Sequence, residues 1–365
     1  MIPLFKIYND ESDISAISNV IKSGMFWATG NEIAEFEDKI SQYIGTKYST
    51  VMNSGTSALI AALTACDIKE GDEVIVPSFT FVATAFAVSV VGGIPIFADI
   101  EEKSCGLDPK DVEKRITKRT KAIIAVHYSG YPCEIKKVKK LTKKRNLILI
   151  EDAAEAFGAK IGNKMIGRFG DISIFSFCQN KIITTGEGGA IVTDSYGVQK
   201  RIKQIISHGR NNKGKFFESK KPMDYVSLGY NWRMSSISAA LGLSQIKKTE
   251  HNIRERTKIA EYYQEKLSKI DGINLIDGQA EARNVFQMFP IRVKNRDLLM
   301  KFLGDQKIAT RICFNPVHKC YYYKDKTKLP VTDQVSNDIL TLPIYPKMVR
   351  GDLDLIIKKI SEFYK

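Results

Sequence analysis

The chain predicts an α/β fold, with a mostly parallel sheet in a large domain and a smaller α+β domain after it. Three observations carry this. Short apolar segments, DEVIVPS (72–78), IPIFADI (94–100), KAIIAVHY (121–128) and NLILIED (146–152), alternate with helix-forming stretches at 80–91, 108–116 and 134–145. Parallel strands need helical crossovers, and strands covered on both faces read as nearly continuous apolar runs. Next, residues 173–194, SIFSFCQNKIITTGEGGAIVTD, place Lys181 between two further strand-like runs, beside a glycine-rich turn at 186–189. After Asp194 the pattern changes to long helix followed by mixed strands and helices, as α+β chains do.

Taken in order, residues 12–23 form a first helix and GMFWATGNE (24–32) a turn-rich connector. EIAEFEDKISQYIG (32–45) spaces Ile33, Phe36, Ile40 and Tyr43 on one helical face, and Gly45 stops it. YSTVMN (48–53) is a short strand. NSGTSALIAALTAC (53–66) opens on small polar residues that can cap a helix, then turns apolar. FVATAFAVSVVGGIPIFADI (81–100) is the most apolar stretch. Gly92, Gly93 and Pro95 divide it into a buried helix and a buried strand, which argues against a membrane span. SYGVQKRIKQIISHG (195–209) is helical, and the polar RNNKGKFFESKKPMDY (210–225) reads as a mobile loop or lid. Residues 235–267 read as nearly continuous helix with a boundary inside it. The expected division is therefore 1–245 for the large domain and 246–365 for the small one. The latter is expected to hold strands at VFQMFPIRV (285–293) and ATRICF (309–314), and helices at 296–304 and 351–364.

The 365 residues, 44% hydrophobic and 26% charged, suffice for two domains with their own cores. Lysine and arginine (55) exceed aspartate and glutamate (41), giving a formal net charge of +14. That sign suits nucleic acid, a membrane surface or a diphosphate-bearing small molecule, and it equally suits a lysine-rich solvated surface. KKVKKLTKKR (136–145) fits the polar face of a helix. No aromatic residues interleave these lysines as base stacking requires, which argues against nucleic-acid binding. The cysteines at 66, 105, 133, 178, 313 and 320 form no CxxC and pair with no histidine at metal spacing. No metal is expected, and reduced thiols are expected in a cytoplasmic protein. The start, MIPLFKIYNDES, lacks the basic and apolar regions of a secretory signal, so none is expected.

Ligands of parallel sheets bind beyond the strands' carboxyl ends, where the loops gather. Lys181 lies in the connection between two short strands, a rigid support for an amine, and the glycines of GEGG allow close backbone approach. That stretch alone does not separate a surface lysine from one that forms a Schiff base. NLILIED brings Glu151 and Asp152 to a strand end. A carboxylate there can cap a helix, or it can keep a cofactor's ring nitrogen protonated through a bond worth roughly 1.5–3 kcal/mol. Gly55 and Thr56 begin a helix, which is either simply capped or a phosphate site. Ser176, just upstream of Lys181, can add a hydroxyl. Phe81, after PSFT, can fill a core or lie flat on an aromatic ring. Together these supply a phosphate cradle, a stacking face, a carboxylate and a lysine, a set that fits pyridoxal 5′-phosphate (PLP) and few other ligands.

NSGTSAL, PSFTFVAT, EDAAEAFGA, SFCQNKIITTGEGG and GYNWRMSSISAALG occur in the order and spacing of the DegT/DnrJ/EryC1/StrS family, which the chain resembles over nearly its whole length. The resemblance implies PLP fold type I, the aspartate aminotransferase-like fold. It also implies a nucleotide-sugar aminotransferase that aminates a keto sugar, at C4 of a 4-keto-6-deoxy sugar, with L-glutamate as donor. The cofactor would be PLP, and pyridoxamine 5′-phosphate in the second half of the reaction. By the same resemblance Lys181 carries the cofactor and shuttles the proton, Asp152 partners the pyridinium and Phe81 stacks on the ring. Gly55, Thr56 and Ser176 bind its phosphate, and Glu155 lies near its phenolic oxygen. Asn231 of GYNWRM is implied to reach the phosphate of a neighbouring subunit, hence a homodimer with shared active sites. Arg233 is assigned to the donor carboxylate or the sugar diphosphate, or else to structure, and His318 of NPVHK to the sugar.

Some positions depart from the family pattern. Cys178 and Gln179 stand where an aromatic and a small residue are frequent, Phe157 where some members have histidine, and HYSG (127–130) where HLYG is usual. These are expected to border the sugar. A dehydratase of the same family carries histidine in place of the lysine, so Lys181 argues against it. Amination at C3, a UDP- or dTDP-linked sugar, and a PLP-holding regulatory protein without turnover are the alternative readings.

Overall fold

The computed structural model describes residues 1–211 and 223–365, so most of the expected lid lies outside the described residues. The first half of the chain runs α1 (Glu11–Lys22), α2 (Glu32–Ile44), β1 (Tyr48–Met52), α3 (Gly55–Ala65), β2 (Glu73–Pro77), α4 (Ala83–Val90), β3 (Ile94–Ala98), α5 (Pro109–Arg115), β4 (Thr120–Val126), α6 (Ile135–Arg145) and β5 (Ile148–Asp152). Two short strands, β6 (Lys160–Ile161) and β7 (Lys164–Met165), precede β8 (Ile172–Ser176), β9 (Gly189–Thr193) and α7 (Tyr196–Ile205). Then come α8 (Ser236–Ile246), α9 (Thr249–Leu267), β10 (Ile273–Leu275), β11 (Ala282–Arg283), β12 (Phe289–Val293), α10 (Arg296–Asp305), α11 (Pro330–Asp338), β13 (Ile339–Leu342) and α12 (Arg350–Phe363).

Seven strands form one sheet in the order β1–β9–β8–β5–β4–β2–β3, and β9 alone runs against the rest. Alternate side chains serve opposite faces. Ile75, Ile123 and Leu149 pack with Phe36, Ile40 and Ile44 of α2 and Val138 of α6. Val74, Val76, Ile124 and Ile150 pack with α3, α4 and Ile202 of α7. Burial on both sides is why these strands read as apolar runs and not as alternating ones. β8 and β9 pair antiparallel from Ser173↔Val192 to Ser176↔Gly189, so the lysine-bearing connection leaves the sheet at the edge where the parallel strands end.

The helical stretch expected at 235–267 is divided between α8 and α9. Lys248, at the break, reaches Asp10 (2.7 Å) and Asp13 (2.6 Å) and ties it to the start of α1. The C-terminal unit carries a three-stranded antiparallel sheet, β10–β12–β13. The first residues join it: Ile2 bridges to Ile308, and Ile344 N–H donates to the Leu4 carbonyl (3.2 Å). The strand expected at 309–314 is a correction. Arg311 forms an isolated bridge with Thr341, and the segment belongs to no sheet. Its apolar residues Ile312, Cys313 and Phe314 pack into the core of this unit, so an apolar signal was present without a ladder. Among the described residues no helix is long and apolar enough to cross a membrane.

Candidate active site

Successive residues of a strand face opposite ways, and at the end of β5 this separates two carboxylates. Glu151 points to the back of the strand and is fully buried. It accepts from the backbone N–H groups of Gly167 (3.1 Å), Phe169 (2.7 Å) and Gly170 (2.6 Å), from Ser173 Oγ (2.9 Å), and from His127 Nε2 (3.2 Å). His127 Nδ1 accepts the N–H of Cys133 (3.1 Å), so the ring proton sits on Nε2, facing Glu151. Burial pushes the Glu151 carboxyl up, but His127 and the backbone donors together hold it below the usual range.

Asp152 faces a cleft. Its Oδ2 accepts from Thr84 Oγ1 (2.8 Å) and its Oδ1 from the N–H of Ala154 (3.2 Å). These do not offset its burial, which raises the carboxyl above its ordinary value. A desolvated carboxylate with so few donors gains most from a positively charged N–H brought to it.

Lys181 stands across the same cleft. Its N–H closes a turn on the Cys178 carbonyl (3.0 Å), and its Nζ lies 3.3 Å from Glu155 Oε1. Glu155 Oε2 accepts from the N–H of Ser129 (2.8 Å). Gly130 follows at φ +87, and a Cβ there would lie 2.6 Å from Val285 Cγ2, so the HYSG turn requires its glycine. The carbonyls on either side of Lys181 are held from behind: Gln287 Nε2 donates to that of Asn180 (2.5 Å) and Asn252 Nδ2 to that of Ile182 (2.9 Å). Buried Arg256 in turn donates to the carbonyls of Phe286 and Gln287 (3.1 Å each). The C-terminal unit thus fixes the lysine turn.

α3 begins at Gly55. Ser54 Oγ accepts from the N–H of Ser57 (3.1 Å) and the Ser54 carbonyl from that of Ala58 (3.1 Å), so the N–H groups of Gly55 and Thr56 precede the helical ladder, at its positive end. A Cβ on Gly55 would stand 2.9 Å from Ser176 Cβ, and one on Gly189 2.4 Å from the Ser54 carbonyl oxygen. These glycines let the end of β8 and the start of β9 close against the helix start. Phe81 is 55% exposed, its ring 5.9 Å from that of Phe314.

Gly55, Thr56, Phe81, Asp152, Glu155, Ser176 and Lys181 line one cleft of about 440 Å³, with Cys178 and Gln179. The structure adds Thr84 and, from the two ends of the chain, Phe5, Arg311, Cys313 and Phe314. Thr84 sits inside the PSFTFVAT segment, one helical turn past Thr80. Arg311 and Phe5 carry no local sign of their position. Three expected residues lie elsewhere. Asn231 is exposed and bridges to Ser207. Arg233 Nη1 donates to Ser207 Oγ (3.2 Å), facing a second cavity lined by Lys203 and Arg210. His318 is buried behind the cleft wall, its Nδ1 2.6 Å from Ser78 Oγ. Phe157 also departs from expectation: it is a core residue, stacked on Tyr43 (5.1 Å between centroids), and does not line the cleft.

The profile of the DegT/DnrJ/EryC1/StrS aminotransferase family matches residues 8–361. The chain belongs to this family. Its activity is that of a PLP-dependent nucleotide-sugar aminotransferase. It is 35% identical over 370 residues to a GDP-perosamine synthase of Escherichia coli O157:H7, covering 100% of this chain and 98% of that one. It is 32% identical to a dTDP-3-amino-3,6-dideoxy-alpha-D-galactopyranose transaminase of Aneurinibacillus thermoaerophilus, over 95% of this chain and 94% of that one. Spr1654 of Streptococcus pneumoniae, solved in its PLP form, superposes with a TM-score of 0.93 at 26% identity and covers 100% of this chain and 99% of the other. The cleft suits the family's cofactor. Asp152, buried and short of donors, would suit a protonated ring nitrogen. The close approach of Gly55 to Ser176 leaves a helix start and a hydroxyl for a phosphate.

Proposed function

We propose that the protein transfers the amino group of L-glutamate to C4 of GDP-4-keto-6-deoxymannose, the reaction of a GDP-perosamine synthase, and works as a homodimer. The observation that carries the chemistry is the meeting of Lys181, Asp152 and Glu155 in one cleft beside the free end of α3. The GDP-sugar is supported by the 35% identity to the E. coli enzyme, and by the segments NKIITTGEGG and GYNWRM. The dimer is supported by Asn231, which is exposed and does not line its own cleft, where a second copy can use it.

Bound PLP supplies an electron sink that acidifies the carbon bearing the amine. Asp152 keeps a proton on the cofactor's ring nitrogen, which relieves its own burial. The N–H groups of Gly55 and Thr56, with Ser176 Oγ, bind the phosphate, and Phe81 covers a ring face. Lys181 Nζ takes the proton from the donor's Cα and returns one to sugar C4, a role worth about 10²–10⁴ in rate. Glu155 holds that amine in line.

A second reading, amination at C3 of a dTDP-linked sugar, is favoured by the identity to the Aneurinibacillus transaminase. Incubation with glutamate and GDP-, dTDP- and UDP-linked keto sugars, with the aminated carbon assigned by NMR, separates the two. Amination at C4 of the GDP sugar is expected; a C3 product, or reaction with the dTDP sugar alone, replaces the proposal. Lys181→Ala should lose at least about 10²-fold in turnover, and a variant with full turnover overturns the role given to Lys181.

A further inference from the structure

We propose that Arg311 anchors the carboxylate of the amino-acid donor, in a small annex of the cleft beside Lys181. The inference rests on the aminotransferase reading above and adds the donor's binding site to it. The annex, about 50 Å³, opens off the main cleft, and Phe5, Asn180, Met288, Arg311 and Cys313 line both. Asn180 is the residue before Lys181, so a group held in the annex lies next to the lysine turn. Besides the buried Thr341 hydroxyl, two polar features of its wall lack counterparts among the described residues. The guanidinium of Arg311 makes no hydrogen bond or ion pair among the described residues. The other cation lining the cleft, Lys181, already faces Glu155. Gln287, 3% exposed, spends its Nε2 on the Asn180 carbonyl, and its Oε1 is buried with no partner among the described residues.

An α-amino acid carries both complements, a carboxylate for the guanidinium and N–H donors for the buried acceptor. A nucleotide's diphosphate carries only the first, and its two phosphate groups exceed the annex. Arginine matches a carboxylate with two parallel N–H donors, which fixes orientation as well as affinity. Cys313, beside Arg311, does not compete for that charge: burial pushes its thiol to about 11, so it stays neutral.

Calorimetric titration of the holoenzyme with 2-oxoglutarate, the deaminated donor, and separately with GDP, tests this. Arg311→Met should weaken 2-oxoglutarate at least about tenfold, the scale of one charged hydrogen bond, and leave GDP within about twofold. Arg311→Lys should recover part of the loss, and it replaces the methionine variant if that one fails to retain the cofactor's absorbance. Unchanged 2-oxoglutarate binding in Arg311→Met overturns the proposal while the aminotransferase reading stands. Weakened GDP binding in place of weakened 2-oxoglutarate gives the guanidinium to the sugar diphosphate and also overturns it. A wild-type protein that neither binds 2-oxoglutarate nor reacts with glutamate removes the donor assignment itself.

Discussion

The back and the front of β5's end differ in how far their polar groups are satisfied. Behind the strand, Glu151 meets three backbone N–H groups, a hydroxyl and an imidazole within 3.2 Å, and its carboxyl is held down. In front, Asp152 meets one hydroxyl and one N–H, and its carboxyl is pushed up. The two residues are neighbours in the chain and both are buried. A saturated carboxylate is part of the scaffold, whereas an under-partnered one is a socket for a ligand.

Removing the saturated group should cost most. Glu151→Ala strands the His127 N–H and several backbone donors in the interior, and a loss of about 3–5 kcal/mol in denaturant unfolding of the apo protein is expected. Glu151→Gln, which keeps one accepting oxygen, should lose less. An alanine variant as stable as its parent would erase the contrast.

Asp152→Asn should do the reverse. On the role proposed for Asp152, amination should fall by about 10²–10⁴, because the ring nitrogen would lose the group that keeps it protonated, while the apo protein stays as stable or gains slightly. Steady-state rates and apo melting on the same preparation check both halves. An apo protein strongly destabilised by this change would mean that Asp152 is scaffold as well.

Gly55→Ala tests the cradle. The new Cβ would press on Ser176 at 2.9 Å, so PLP affinity should drop by about 1–3 kcal/mol, read from cofactor titration, with the sheet intact.

The smallest effect is in pH. The Asp152 carboxyl is raised in the fold, so its contribution is complete below the ordinary carboxylate value near 4 and is lost as pH rises through the raised value. The stability advantage of apo Asp152→Asn over wild type should therefore widen from about pH 4 upward. A gap that narrows with pH contradicts the sign.

Much of the site was legible because its residues are short-range neighbours with distinctive types. The lysine turn, the ED at a strand end and the GTS at a helix start each announce a local geometry, and the structure gathers them at one sheet edge. Asn252, Gln287 and Arg256, which hold the lysine turn in place, were not legible. An amide or arginine in a helix or before a strand looks like any surface residue until a distant carbonyl meets it. ATRICF misled for a related reason: an apolar segment reads as a strand whether it joins a ladder or merely packs.

The order of residues alone determined the crossover sheet, since buried parallel strands and their helices impose periods that need no knowledge of the rest. It also determined the chemical types at the strand ends. The tertiary structure alone decided which of two adjacent carboxylates faces the cleft with its charge unmet, and which remote residues close the wall around Lys181. Those outcomes depend on burial and on partners far away in the chain, and no local pattern encodes either.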